Sequence, residues 1–185
     1  MANKAATAVR FRATLYRPSE DSSAGWTFLR LPAEASAQLP SRGQVSVDGS
    51  FNGVAFTATL EPDGEGGHWL KVDRKMRMAA NAEAGDAIEV EVRPASVEPE
   101  PEVPPDLRTA VEADAKAAAA WSGVTPAARR DWVHWINSAK RPETRARRVA
   151  NACDMLAKGK KRPCCLDRSG MYSKSISCPV PEPLD

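Results

Sequence analysis

The side chains of this chain that could do chemistry are mostly cations. Lys140, Arg141, Thr144, Arg145 and Arg148 gather around Pro142, where a helix can open. Residues 141, 145 and 148 recur at i, i+4 and i+7, so they share one helical face. Thr144 and Arg145 fall in that helix's first turn, where free backbone N–H groups already favour anions. The spacing predicts a site for a phosphate or carboxylate group; the plainer alternative is a solubilising face in which Glu143 pairs with Arg147. A second basic run holds Arg74, Lys75 and Arg77 around Met76, and it can either touch phosphates or stand as ordinary surface charge. Trp132 and Trp135 lie three apart on a helical stripe, a spacing that suits core packing. Stacking on bases would require them to be exposed.

Other reactive types lack workable spacing. Cys153, Cys164, Cys165 and Cys178 could supply four thiolates, but none form Cys-x-x-Cys and two are adjacent, so no metal site is expected. Cys153 reads as a small hydrophobe, and the tail thiols as sites of incidental oxidation. His68 and His134 are the only histidines, and neither has a nucleophile or carboxylate at a spacing that suggests a triad. Asp48, Asp63 and Asp86 sit in glycine turns, where their own backbone hydrogen bonding explains them. No phosphate-cradling glycine loop or nucleotide fingerprint occurs. The sequence therefore predicts no catalytic residue, cofactor or metal.

Something must position these cations. The 185 residues are 42% hydrophobic and 27% charged, an ordinary soluble composition for one medium domain or two small ones. Mean hydropathy is −0.44 and no apolar run approaches the ~18 residues of a membrane span. The first residues carry no apolar core of a secretory signal, so a cytoplasmic protein is expected. Four cysteines are too few for a disulfide scaffold. The net charge of +2 hides an asymmetry: residues 129–162 hold 11 bases against Asp131, Glu143 and Asp154. That excess predicts an anionic partner for the C-terminal part, or a solvated helix face.

Residues 94–105 carry five prolines and three glutamates, which predicts an extended, semi-rigid spacer. Before it, residues 7–93 alternate apolar and polar with period two: Val9, Phe11, Ala13 and Leu15; Val45 and Val47; Phe56, Ala58 and Leu60; Ile88, Val90 and Val92. Trp26–Leu31 and His68–Val72 are two further strand candidates, Asn52-Gly53 predicts a tight hairpin turn, and short helical turns are expected at Ala33–Leu39 and Arg74–Asn81. Six short strands, each with one buried face, predict a small antiparallel β-barrel. After the spacer, residues 106–160 read as a short α-helical module of three helices. These are one from about Asp106 to Trp121, one opened by Thr125-Pro126, and one from Pro142 to Gly159. Residues 161–185 are expected to be an irregular tail. The fold class is α+β.

The run from Trp132 to Arg148, with Ala139-Lys140 closing one helix and Glu143-Thr144-Arg145 opening the next, resembles the bacteriocin-protection, YdeI/OmpD-associated family over about residues 103–160. The front half, through Trp26-Thr27-Phe28, Leu31-Pro32, Val47-Asp48-Gly49, Asn52-Gly53, His68-Trp69-Leu70 and Gly85-Asp86, is similar to a small β-barrel domain of unknown function fused before such modules. The resemblance implies a non-catalytic interaction protein in stress or antimicrobial-peptide protection, and carries over no catalytic residue. The expected partner is a protein or other anionic molecule. Two alternatives stand beside it. One is a nucleic-acid-binding or regulatory protein that uses the barrel and basic helices, since small barrels with a Gly-Asp turn before the last strand resemble AbrB-like DNA-binding barrels at the level of fold. The other is an enzyme with a site between barrel and helices. Oligomeric state is left open.

Overall fold

A computed structural model describes residues 7–19, 25–164 and 177–184. The chain divides into two compact units, Met1–Ser96 with Asp167–Asp185, and Val97–Leu166. The first unit holds six antiparallel strands: β1 Val9–Thr14, β2 Thr27–Arg30, β3 Val45–Phe51, β4 Val54–Pro62, β5 His68–Val72 and β6 Ala87–Pro94. Their spatial order is β1-β6-β3-β4-β5-β2. A bridge between Tyr16 and Phe28, with N–H···O distances of 2.7 and 2.9 Å, joins the two ends. The sheet is thereby a nearly closed barrel.

Period-two alternation builds this barrel. Val9, Val47, Phe51, Leu60, Leu70, Ile88, Val90 and Val92 all turn inward and are buried. Asn52 (φ 48°) and Gly53 (φ 83°) make the β3–β4 turn, as the Asn-Gly pair predicts. At Gly49 a Cβ would lie 2.1 Å from the Glu91 carbonyl oxygen, so the β3–β6 crossing admits no side chain there. Two short helices lie between strands, α1 Ala33–Ala37 and α2 Arg74–Ala79. In β2 the alternation breaks down: Thr27, Phe28 and Leu29 are all buried. Leu29 faces the core, while Phe28 is packed among the rings of Tyr16, Trp26 and Trp69, at centroid distances of 5.9 to 6.3 Å.

The second unit is helical: α3 Pro105–Ala113, α4 Ala115–Ser122, α5 Pro126–Asn137 and α6 Pro142–Ala157. The single helix expected over Asp106–Trp121 is in fact two. Asp114 leaves the helical region (φ −113°, ψ 109°) and its carboxylate accepts from the N–H groups of Lys116 and Ala117, at 2.9 and 3.0 Å. An Asp side chain competes with the helical backbone in this way, and here it ends one helix and caps the next. Thr125 caps α5 as its position predicts, accepting from the Ala128 N–H at 3.3 Å. The core is Leu107, Val111, Ala117, Ala128, Trp132, Ile136, Val149, Ala152 and Leu156. No helix among the described residues is long and apolar enough to cross a membrane.

Candidate functional site

The corner between α5 and α6 carries the basic cluster. Ser138 closes α5 and Arg141 occupies the N-cap position of α6. Arg145, in the first turns of α6, donates to both carboxylate oxygens of Asp106 in α3, at 2.7 and 2.9 Å, and to Asn137 Oδ1 at 2.9 Å. Arg148 reaches back to the end of α5, donating to the Trp135 carbonyl oxygen and to Ser138 Oγ at 2.8 Å. Its guanidinium lies 5.4 Å from the centre of the Trp135 ring. A helix C-terminus leaves bare carbonyls and partial negative charge, and Arg148 satisfies both. These two arginines therefore fasten α3, α5 and α6 together. Hydrogen bonding from Arg145 holds the Asp106 carboxyl below its ordinary value of 3.8 despite some desolvation, and Asp106 raises Arg145 in return.

The other members of the cluster have different surroundings. Lys140 and Arg141 are exposed, and no ion pair or hydrogen-bond partner engages their side chains among the described residues. Thr144 is half-buried. Arg147 is exposed, and among the described residues no ion pair joins it to Glu143. The corner is thus a braced turn whose outward cations, Lys140 and Arg141, can hold an anion by charge. Arg147, which sequence spacing offers as a partner for Glu143, lies further along α6 with its side chain exposed.

Arg74, Lys75 and Arg77 lie in the other unit, on α2. Asp73 caps this helix by accepting from the Met76 N–H at 2.7 Å. Arg74 and Lys75 are exposed, and Arg77 pairs with Glu83 at 2.5 Å. His68 is buried: its Nδ1 shares a 2.5 Å hydrogen bond with Ser36 Oγ, and its Nε2 contacts the Gly43 carbonyl oxygen at 2.9 Å. It ties β5 to α1 and to the loop before β3. Trp132 and Trp135 are core residues, 0% and 9% exposed, which leaves no free face for a base. Among the described residues no group of three or more His, Cys, Asp or Glu could hold a metal ion. Burial pushes the thiols of Cys153 and Cys178 up from their ordinary value. Cys165 falls outside the described residues.

Several arrangements go beyond any sequence signal. The Pro/Glu stretch is docked: Glu98 pairs with Arg130 and Glu100 with Arg129, the latter at 2.6 Å. Asp131, 2% exposed, is held by Arg162, and Trp132 Nε1 donates to the Lys161 carbonyl oxygen at 3.1 Å. Residues 177–184 lie along the barrel, where Pro18 and Pro181 form a bridge. The acidic spacing of the linker and the double arginine of α5 were visible, but nothing in one sequence says that they meet.

Fold and corner together describe a small β-barrel joined to a helical module with a braced cationic turn. Residues 11–92 match the family described as a domain of unknown function, DUF1905. Residues 100–159 match the family described as bacteriocin-protection, YdeI or OmpD-associated. The chain therefore joins a barrel of the first kind to a helical module of the second, the fusion its residue pattern resembles. No curated protein matches the chain significantly.

Proposed function

We propose that this chain is a non-catalytic interaction protein that contributes to protection against bacteriocins and related antimicrobial peptides, and that it works by binding an anionic partner at the α5–α6 corner. The family matched by residues 100–159 supports the protective role by its description. The observation that carries the rest is the division of labour at the corner. Arg145 and Arg148 fasten helices, while Lys140 and Arg141 at the corner, and Arg147 further along α6, are exposed with no ion pair or side-chain hydrogen bond among the described residues. A cationic surface repels cationic peptides and attracts anionic ones. The obvious acidic feature of this unit is also engaged, because Glu98 and Glu100 are paired with Arg130 and Arg129. Direct capture of a cationic peptide by the helical unit is therefore disfavoured, and an anionic partner is favoured.

The test compares wild type with a Lys140→Ser/Arg141→Ser/Arg147→Ser variant, which spares the bracing arginines. Cells producing either protein are challenged with a cationic antimicrobial peptide. In parallel each protein is used to capture partners from lysate at low and moderate salt, with and without nuclease. The expected result is weaker protection by the variant at equal levels of folded protein, together with loss of a nuclease-resistant partner. Equal protection and equal capture would overturn the proposal. A signal that disappears with nuclease and falls steeply with salt would replace the partner with nucleic acid.

A further inference from the structure

The last described residues form an extended strip on the barrel unit. Ser19 N–H donates to the Val180 carbonyl oxygen at 2.9 Å, and Glu182 N–H donates to the Arg17 carbonyl oxygen at 2.8 Å. These two bonds flank the Pro18–Pro181 bridge and make the tail an added antiparallel partner for residues 17–19. Further back, Cys178 N–H donates to the Asp63 carbonyl oxygen at 3.3 Å, and Arg30 donates to Cys178 Sγ at 3.1 Å and to the Pro179 carbonyl oxygen at 3.4 Å. The tail alternates proline with other residues at positions 179, 181 and 183. Its docking is almost entirely through backbone groups. Val180 and Leu184 remain 56% and 49% exposed, so little apolar area holds them down.

The surface beneath has features the tail does not use up. Arg30 and Trp69 are cross-strand partners and so lie on one face of the sheet. Trp69 packs against Trp26 and Phe28, at 6.4 and 6.1 Å between centroids, and Lys71 lies 4.7 Å from the Trp26 ring. The Trp69 indole N–H is buried with no hydrogen-bond partner among the described residues. Aromatic rings and an arginine that reads a proline carbonyl are what an extended proline-rich ligand requires. Beside the tail's end, a pocket of about 580 Å³ is lined by Arg17, Gly85 and Leu184 among others.

We propose that this strip, from Arg17–Ser19 across Arg30 to Trp69, is a binding site for an extended, proline-alternating, acidic-ended segment of a partner protein, and that the chain's own tail occupies it as a displaceable cis ligand. The occupant's chemistry is read from the tail itself: proline every second residue from 179 to 183, the Pro179 carbonyl oxygen accepting from Arg30, and an acidic residue, Glu182, whose N–H pairs with the Arg17 carbonyl oxygen. Backbone pairing supplies the affinity and the proline spacing supplies the register. This site lies in the barrel unit and is independent of the corner proposed above.

The test uses the full chain and a synthetic peptide copying residues 177–185, with serine in place of the cysteine. Glu182→Pro removes the N–H that pairs with Arg17 and so loosens the tail without touching the strip. The variant should bind the peptide about tenfold more tightly than wild type, because the cis ligand reduces the fraction of open sites. Adding Arg30→Ala to it should weaken binding severalfold, and so should a peptide with alanine at each proline, which keeps the pairing backbone groups but loses the fixed register. A Glu182→Pro chain whose Ser19 amide exchanges faster, showing the tail released, but which binds the peptide no better than wild type would overturn the proposal. Should the variant leave the tail docked, wild type decides: at about 1 mM peptide, Glu182 amide exchange should accelerate as the tail is displaced, and unchanged exchange would overturn it. A wild-type dimer that Glu182→Pro converts to monomer would assign the strip to the tail of a second copy and likewise overturn the partner assignment.

Discussion

Arg145 offers a planar fork to Asp106, and two hydrogen bonds, one to each carboxylate oxygen, make the ion pair bidentate. Asp106 is partly exposed, so solvent screening keeps the net contribution to about 0.5–1 kcal/mol. Its pH dependence follows from the direction of the shift. The carboxyl is held below 3.8 in the folded chain, so the stabilisation is fully present above that ordinary value and disappears as pH falls through the lowered one. Asp106→Asn should therefore be less stable than wild type at neutral pH and indistinguishable from it in strong acid. Urea unfolding of both proteins at several pH values checks this; a gap that persists unchanged into acid would mean the pair acts through shape and not charge. At this scale the sequence was half legible. The periodicity of residues 141, 145 and 148 predicts one helical face; in the structure Arg145 and Arg148 lie on α6 and turn toward Asp106 and the end of α5, while Arg141 stands at the N-cap in extended backbone. Which of several similar cations becomes a brace depends on where other helices end, and spacing within one helix carries no such information.

Elements were easier to read, because a barrel strand and an amphipathic helix each write their period into the chain. The exceptions have local physical causes. β2 carries buried residues on successive positions since its outer face is covered by rings from Tyr16, Trp26 and Trp69, a situation that period-two logic does not anticipate. The α3–α4 break occurs inside a run of good helix formers, and a single carboxylate decides it. Asp114 costs the helix one residue of regular backbone and satisfies two free N–H groups of the next one. Removing that cap by Asp114→Ala should destabilise the helical unit by about 1 kcal/mol, even though alanine is the better helix former. Asp114→Asn, which keeps the acceptor oxygen, should recover most of the loss. Urea midpoints of the three proteins distinguish the outcomes: if alanine were neutral or stabilising, the break would owe nothing to capping, and α3 and α4 would be free to fuse.

At the scale of the whole molecule, the chain passes through the barrel unit, builds a helical unit, and ends with residues that lie again on the barrel unit. Composition announced two bodies through the proline and glutamate run at 94–105, yet residues from Val97 onward group with the helices because Arg129 and Arg130 capture their glutamates. A charge run read by itself looks like a spacer, and only its distant counter-charges make it part of a domain. The two cores are built from separate sets of residues, one around Val47, Leu60 and Leu70, the other around Trp132, Ile136 and Leu156. That separation has a consequence for cooperativity. Truncating a buried leucine typically costs about 2–5 kcal/mol, which is a large fraction of the stability of a small unit. Leu60→Ala should therefore lower amide protection throughout β3, β4 and β5 while α5 and α6 keep theirs, and Leu156→Ala should do the reverse. Hydrogen exchange read amide by amide on the intact chain measures both patterns at once. Were either substitution to lower protection equally in barrel and helices, the two units would unfold as one, and the stability of each would have to be reckoned with the other's core included.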